Sequence, residues 1–134
     1  MVSTVLCIED NLSNLHLVEQ ILRDWPGIRL IPAMQGRLGI ELAREHHPDL
    51  ILLDLNLNLP DIGGRQVLSR IRSDPATTAI PVIVLTADAT LGVRDHLLDS
   101  GANAFLTKPF ELDQFFEVLT EILDMVPDRR TTTS

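Results

Sequence analysis

Polar side chains capable of chemistry follow four apolar runs of the sequence. Glu9 and Asp10 come directly after the run VLCI, and Asp54 ends the run LILLD. Thr86 ends the run PVIVLT, and Lys108 follows AFLT. Each residue alone has an ordinary explanation, because an acidic residue after a strand often caps a helix, and an isolated threonine or lysine needs no function. Their joint occurrence at four strand ends favours a common site.

Three carboxylates, one hydroxyl and one ammonium would suit a divalent cation and a phosphoryl group. Carboxylates within a few ångströms repel one another strongly unless a cation lies among them. Oxygen ligands with room for water favour Mg²⁺, and zinc is disfavoured because no His or Cys accompanies them. A carboxylate held against Mg²⁺ is also a phosphoryl acceptor, with the ammonium and the hydroxyl placed to stabilise the phosphoryl oxygens.

Apolar runs and helical patterns alternate five times along the 134 residues. The predicted strands are 5–8, 28–34, 50–54, 81–86 and 104–107, and the predicted helices are 11–25, 37–47, 64–74, 90–101 and 111–126. Pro32 removes a backbone donor and therefore places the second strand at an edge of the sheet. Gly101 stands where helices favour a glycine after their last turn.

The first, third and fourth strands are continuous apolar runs, which is typical of parallel strands covered on both faces. Five such β-α units predict an α/β fold with a doubly wound, five-stranded parallel sheet in the order 2-1-3-4-5, a flavodoxin-like three-layer sandwich. Parallel strands end at one edge of the sheet, and ligands bind there, so the residues after the strands are expected to be neighbours.

The composition argues against several classes of partner. A formal net charge of −8 disfavours DNA, RNA and anionic membranes, and 4% aromatic residues leave little surface for base stacking. We therefore expect a protein partner or a cation. A secretory signal pattern is lacking, no apolar run reaches the roughly 18 residues of a membrane span, and the single Cys7 excludes an internal disulfide, so we expect a cytoplasmic protein with Cys7 buried.

The motifs CIEDN, LILLDL, VIVLTADA and AFLTKPF together resemble those of the receiver domain of bacterial two-component response regulators, across residues 3–126. The resemblance implies that Asp54 accepts a phosphoryl group from a phosphohistidine on a kinase or phosphotransfer protein. It implies that Mg²⁺, with Mn²⁺ as a substitute, is held directly by Asp10 and Asp54, through water by Glu9, and by the backbone carbonyl of Asn56.

The resemblance also assigns roles around the phosphoryl group. Thr86 and Lys108 would contact it, and the Lys108–Pro109 peptide bond would be cis. Phe105 would change rotamer with phosphorylation and reshape a face made of the fourth helix, fifth strand and fifth helix for a downstream protein, in a monomer or a phosphorylation-dependent dimer. On the residues alone, Phe105 is equally well explained as a core residue of the last strand.

The resemblance makes residues 1–126 the receiver domain and leaves 127–134 as a frayed tail, with no output domain following. Two origins of the chain stay open. It is either a stand-alone receiver or a segment of a hybrid sensor kinase, a class whose receivers commonly carry the EDN variant of the acidic motif.

The first helix carries apolar Leu12 and Leu15 beyond a core stripe of Leu17, Val18, Ile21 and Leu22. Two explanations of Leu12 and Leu15 are equally good. Together with Pro109 and Phe110 they could form a docking face for a kinase, or they could be partly buried under a neighbouring loop.

The segment after Asp54 is two residues longer than the family pattern, because Pro60 comes six residues after the aspartate rather than four. If the buried run LILLD sets the register, Asp54 is the acceptor and the following loop is enlarged. If the loop sets it, Asn56 occupies the acceptor position and Asp54 lies roughly 6.6 Å away. We favour the first assignment, since burial fixes a strand more firmly than a surface loop does.

Three rival functions stay open at this point. A phosphatase of the haloacid dehalogenase type needs a second aspartate two residues after the nucleophile, where this chain has Asn56. A flavodoxin-like FMN carrier needs a phosphate cradle after the first strand, where this chain has Glu9 and Asp10. A degenerate receiver would bind partners without accepting phosphate.

Asn56 lies two residues after the acceptor Asp54, and Asp88 lies two residues after Thr86. The resemblance implies that both side chains flank the path of the water that attacks the aspartyl phosphate. Both are polar and able to position that water, so the aspartyl phosphate is expected to last minutes rather than days. Loss of label from the purified, phosphorylated protein in Mg²⁺ measures this lifetime. A half-life of many hours would contradict the expectation.

Overall fold

The computed structural model describes residues 3–23, 25, 27–55, 62–87, 90–108 and 112–124. Within them, five strands alternate with five helices, and each described boundary lies within two residues of its prediction. The elements are β1 (Ser3–Ile8), α1 (Leu12–Arg23), β2 (Ile28–Ala33), α2 (Gly36–His46), β3 (Leu50–Asp54), α3 (Gly64–Ser73), β4 (Val82–Thr86), α4 (Leu91–Asp99), β5 (Ala104–Thr107) and α5 (Leu112–Asp124).

The five strands form one parallel sheet in the order β2-β1-β3-β4-β5, which confirms the predicted fold. β2 lies at an edge, as Pro32 predicts, because the missing N–H can be tolerated where one side of the strand is unpaired. The chain order reverses between β1 and β3, so the carboxyl ends of these two strands border the crevice where this class of fold binds ligands.

Two apolar clusters cover the two faces of the sheet. On one face, alternate residues of β1, β3 and β4 pack against α2 and α3, as in Ile8, Leu53 and Val84 against Val67 and Leu68. On the other face, their sequence neighbours pack against α1 and α5. Every residue of β3 and β4 is buried. The central strands are therefore covered on both faces, as their continuous apolar runs predict.

The predicted core stripe of α1 is wrong in two places. Leu15, assigned beyond the stripe, is 4% exposed and belongs to the core, whereas Leu17, assigned to the stripe, is 48% exposed. Leu15, Val18 and Leu22 follow the three- and four-residue spacing of one helix face, and Leu17 points away from it. Leu12 lies outside the core as expected and is 57% exposed. Burial under a loop therefore explains neither Leu12 nor Leu15.

Arg72, in the last turn of α3, fixes the amino-terminal ends of β4 and β5. Its guanidinium donates hydrogen bonds to the carbonyls of Gly101, Thr78 and Ile80 and to Oδ1 of Asn103, all within 2.9 Å. Gly101 has φ +108°, as predicted for a residue after a helix, and the arginine side chain lies where a Cβ would stand. This network ties the end of α3 to the segments that lead into β4 and β5.

None of the described helices combines the length and the apolar composition that a bilayer crossing requires. The predicted domain boundary at residue 126 and the tail 127–134 lie outside the described residues.

Candidate functional site

Glu9, Asp10, Asp54, Thr86 and Lys108, the predicted site residues that directly follow or end strands, lie at the carboxyl edge of the sheet. Asp54 is the last residue of β3, and Thr86 is the last residue of β4. The N–H of Lys108 donates to the carbonyl of Thr86 at 2.7 Å and continues the β4–β5 pairing by one residue. The N–H of Glu9 similarly donates to the carbonyl of Ala33 at 2.9 Å beyond β1. Strand pairing therefore carries these side chains to a common edge.

Glu9, Asp10 and Asp54 form an acidic cluster in which one carboxylate oxygen from each residue lies within 4.8 Å of the other two. Glu9 is fully buried, Asp54 is 3% exposed, and Asp10 is half-buried. Among the described residues this is the one group of three or more potential ligands at such spacing. An all-oxygen donor set fits Mg²⁺ or Mn²⁺, which prefer carboxylate ligands.

Lys108 lies between two of these carboxylates. Its Nζ is 3.0 Å from Oδ1 of Asp54 and 3.2 Å from Oε1 of Glu9, and its side chain is 19% exposed. Oε2 of Glu9 also accepts a hydrogen bond from the N–H of Asn11 at 3.2 Å. One ammonium thus offsets part of the charge of three carboxylates, and it leaves the cluster with a net negative charge when all three are ionised.

Burial raises the pKa of Glu9 to about 7, with further increases from the hydrogen bond and charge of Asp54, because all three disfavour its ionised form. Burial lowers the pKa of Lys108, but the contacts and charges of Asp54 and Glu9 outweigh it and raise this pKa overall. Burial also raises the pKa of Cys7. Cys7 is therefore a protonated core residue, in agreement with its predicted role.

Thr86 and Phe105 lie on the same face of the sheet. The register pairs Val84 with Phe105 and Thr86 with Thr107, and side chains alternate between faces along each strand. Thr86 is 1% exposed, and Phe105 is half-buried against the cluster that contains Val84. Phe105 thus has both the core contact expected of a strand residue and a diagonal position relative to Thr86.

Gly64 lets α3 begin close to the end of β3. A Cβ on Gly64 would stand 2.5 Å from the carbonyl oxygen of Asp54, so this approach requires a glycine. A cleft of about 360 Å³ lies beside Thr86 and is lined by Gly64, Arg65 and Val93, among others. The cleft therefore opens to solvent beside Thr86, at the end of β4.

The strand-based assignment of Asp54 agrees with its position at the end of β3, within the acidic cluster. The two extra residues therefore fall in the segment after the strand. Asn56 and Pro60 in that segment, and Asp88, Pro109 and Phe110, lie outside the described residues. Their predicted roles stay predictions.

Sequence reasoning missed the part played by Asn11. Its Oδ1 accepts a hydrogen bond from the N–H of Asn14 at 3.0 Å and so caps α1. An asparagine directly before the first helical residue was a usable signal, because asparagine is among the preferred cap residues. Since Asn11 supplies the cap, helix capping is a weak explanation for the neighbouring Asp10.

Replacing Glu9 with Gln is expected to stabilise the chelator-treated protein increasingly as the pH rises. The pKa of Glu9 is near 4.3 in the unfolded chain and about 7 in the folded protein. Between these pH values the folded state holds a proton that the unfolded state has lost, so the folded wild type loses stability as the pH rises and that proton leaves. Gln does not titrate. The unfolding free energy of Glu9→Gln relative to wild type should therefore increase by on the order of 2 kcal/mol between pH 5 and pH 8 in urea titrations.

The exposed Glu41 provides a matched control, because Glu41→Gln makes the same chemical change away from the cluster. Its stability relative to wild type should be nearly equal at the two pH values. If the unfolding free energy of Glu9→Gln relative to wild type were also the same at pH 5 and pH 8, Glu9 would be ionised at low pH despite its burial.

Comparison with known proteins gives a consistent family. The family model for the response regulator receiver domain matches residues 5–120. The chain is 34% identical over 123 residues to the polar-differentiation response regulator DivK of Brucella ovis, covering 92% of this chain and 98% of DivK.

Solved structures with the same fold include two metal-bound receivers. The receiver domain of sensor histidine kinase PA1611 from Pseudomonas aeruginosa, which has a magnesium ion coordinated in its active-site cleft, is 30% identical with a TM-score of 0.82, covering 92% of this chain and 99% of that one. The Mn²⁺-bound form of response regulator Rcp1 is 29% identical with a TM-score of 0.73, covering 94% and 96%. With its sheet order, its acidic cluster and its match to the family model, this chain belongs to the receiver domains of two-component response regulators.

Proposed function

We propose that Asp54 accepts a phosphoryl group from a phosphohistidine in a Mg²⁺-dependent reaction, with residues 1–126 acting as the receiver domain. One observation carries the proposal. Asp54 ends a buried strand with its carboxylate 3.0 Å from the Lys108 ammonium and within 4.8 Å of ligand oxygens on Glu9 and Asp10. The nucleophile, the cation ligands and a positive charge are thus held at one place.

The acidic cluster has the donor chemistry for Mg²⁺, with Mn²⁺ as a substitute. Asp10 and Asp54 are proposed as direct ligands, Glu9 as a ligand through water, and the carbonyl of Asn56 as the remaining protein ligand. The metal ions bound by the PA1611 receiver and by Rcp1 support the same choice. When bound, the ion neutralises charge on the carboxylates and on the phosphoryl oxygens.

The transfer itself needs an ionised Asp54. Its oxygen attacks the phosphorus, an O–P bond forms, and the P–N bond to the donor imidazole breaks with its electron pair left on that nitrogen. Lys108 places a positive charge beside the transferring oxygens, and Thr86 donates a hydrogen bond to one of them. The chain is a signalling domain, and on this proposal it catalyses only its own phosphorylation and dephosphorylation.

The proposed output follows from the strand register. A Thr86 hydroxyl drawn towards the phosphoryl group leaves space on its own face of the sheet, where Phe105 lies one strand away. Rotation of that ring would reshape the surface of α4, β5 and α5 for a downstream protein partner. The two arrangements form a two-state equilibrium that phosphorylation shifts.

Incubation with acetyl phosphate and Mg²⁺ is expected to attach one acid-stable, base-labile phosphoryl group to Asp54. Asp54→Asn should abolish the label, because an amide is not a nucleophile for phosphorus. Asp10→Asn or a chelator should reduce the labelling rate at least about tenfold through loss of the cation. Peptide mapping by mass spectrometry locates the group.

The exposed Asp95 on α4 serves as a matched control, since Asp95→Asn should label like wild type. Label that survives Asp54→Asn would refute the proposal. Absence of label from the folded, Mg²⁺-saturated wild type would favour a receiver that binds partners without phosphate. Turnover of a small phosphate ester would favour the phosphatase alternative.

An exposed apolar surface near the site suits a helical, histidine-bearing donor. We define this donor surface as Leu12, Met34 and Leu38, which are 57%, 41% and 41% exposed. Leu12 opens α1, Met34 directly follows β2, and Leu38 lies in the first turn of α2, so all three stand at the carboxyl edge beside Asp10. Exposed apolar side chains grouped near a site are typical of protein contacts.

The double variant Leu12→Ser, Met34→Ser is expected to slow transfer from a phosphorylated histidine phosphotransfer domain that labels the wild type, by about tenfold or more. Labelling by acetyl phosphate should stay unchanged, because the small donor makes no use of this surface. Leu98→Ser, at a leucine that is 45% exposed on α4, is the control. Equal loss with both donors would show damage to the site rather than to docking.

A further inference from the structure

A cationic side chain covers the ring of Phe105. The guanidinium carbon of Arg94 lies 4.6 Å from the ring centroid, within the distance of a cation–π contact. Arg94 itself is exposed and lies in the first turn of α4, where its N–H donates to the carbonyl of Thr90. The ring is half-buried, so one part of it faces the core and another part faces this arginine.

Most of the described side chains of the helix that carries Arg94 are exposed. Of the α4 side chains that the structure describes, Leu97 alone is buried, and Val93 is half-buried. The remaining described side chains of α4 are exposed. The contact between Arg94 and Phe105 therefore links the first turn of α4 directly to β5.

The contact with Arg94 is available to the Phe105 ring in its half-exposed position. If the Phe105 ring turned inward towards Thr86, it would become more buried and would move away from the Arg94 guanidinium, which stays in solvent. Loss of that contact is then a cost of the inward position. A cation–π contact at an exposed site alters a two-state equilibrium about two- to fivefold.

We propose that Arg94 holds Phe105 in its half-exposed position and thereby opposes the conformational change that accompanies phosphorylation. This inference rests on the proposed function, because it concerns regulation of the same site. Arg94 acts through Phe105 and is a positioning residue. Its role is to lower the population of the active arrangement when Asp54 carries no phosphoryl group.

Binding of beryllofluoride, a phosphoryl analogue, measures this opposition in the full chain with Mg²⁺. Arg94→Gln is expected to bind it about two- to fivefold more tightly than wild type, since the contact no longer has to be broken. Arg94→Lys keeps a cation over the ring and should restore most of the wild-type affinity. Arg70→Gln removes the same charge from an exposed position on α3 and should match wild type.

A second measurement reports the contact without any phosphoryl analogue. The side-chain protons of Arg94 should be shifted upfield by the ring in NMR spectra relative to those of Arg70, and Phe105→Leu should abolish the shift. Beryllofluoride should reduce the shift in the wild type.

Equal affinities for Arg94→Gln and Arg70→Gln, an Arg94→Lys variant that behaves like Arg94→Gln, or an upfield shift that survives Phe105→Leu would each overturn the proposal. Failure of the proposed function gives a different pattern. In that case Asp54→Asn would bind the analogue like wild type, while the ring shift of Arg94 would still report the contact.

Discussion

Mutual repulsion among Glu9, Asp10 and Asp54 is the constraint around which this edge of the molecule is organised. One carboxylate oxygen from each lies within 4.8 Å of the other two, and two of the three side chains are almost fully buried. Lys108 reaches Asp54 and Glu9, but one positive charge does not balance three carboxylates. Burial and Asp54 accordingly raise the pKa of Glu9 to about 7. Such a cluster gains stability from a divalent cation, whose charge offsets that of the carboxylates.

The fold keeps these charges together by means that do not involve them. Residues of β1, β3 and β4 are buried on both faces of the sheet, so each strand has little freedom to slide along its neighbours. Arg72 fixes the far ends of β4 and β5 through four hydrogen bonds. At the near end, Gly64 allows α3 to start against the carbonyl of Asp54. The apolar core thus offsets the electrostatic cost of the site.

The sequence predicted the sheet and the grouping of the acidic residues with Lys108 because the informative residues are local. Pro32 indicated the edge strand, the continuous run LILLD indicated a doubly covered strand, and the charged residues directly follow such runs. The face of α1 was harder to predict, since Leu15 and Leu17 both fit a helical stripe and only the packing against β1 and β3 distinguishes them. The contact of Arg94 with Phe105 joins two distant elements and leaves no periodic signal in the sequence.

Anomalous diffraction from crystals of the protein equilibrated with Mn²⁺ would locate the cation relative to each carboxylate. If Asp10 and Asp54 both hold the cation, we expect one strong peak at the carboxyl edge, about 2.1 Å from oxygens of both residues, with Glu9 in the surrounding water shell. A peak elsewhere, or an Asp54 carboxylate turned away from Asp10 with no metal between them, would contradict this assignment.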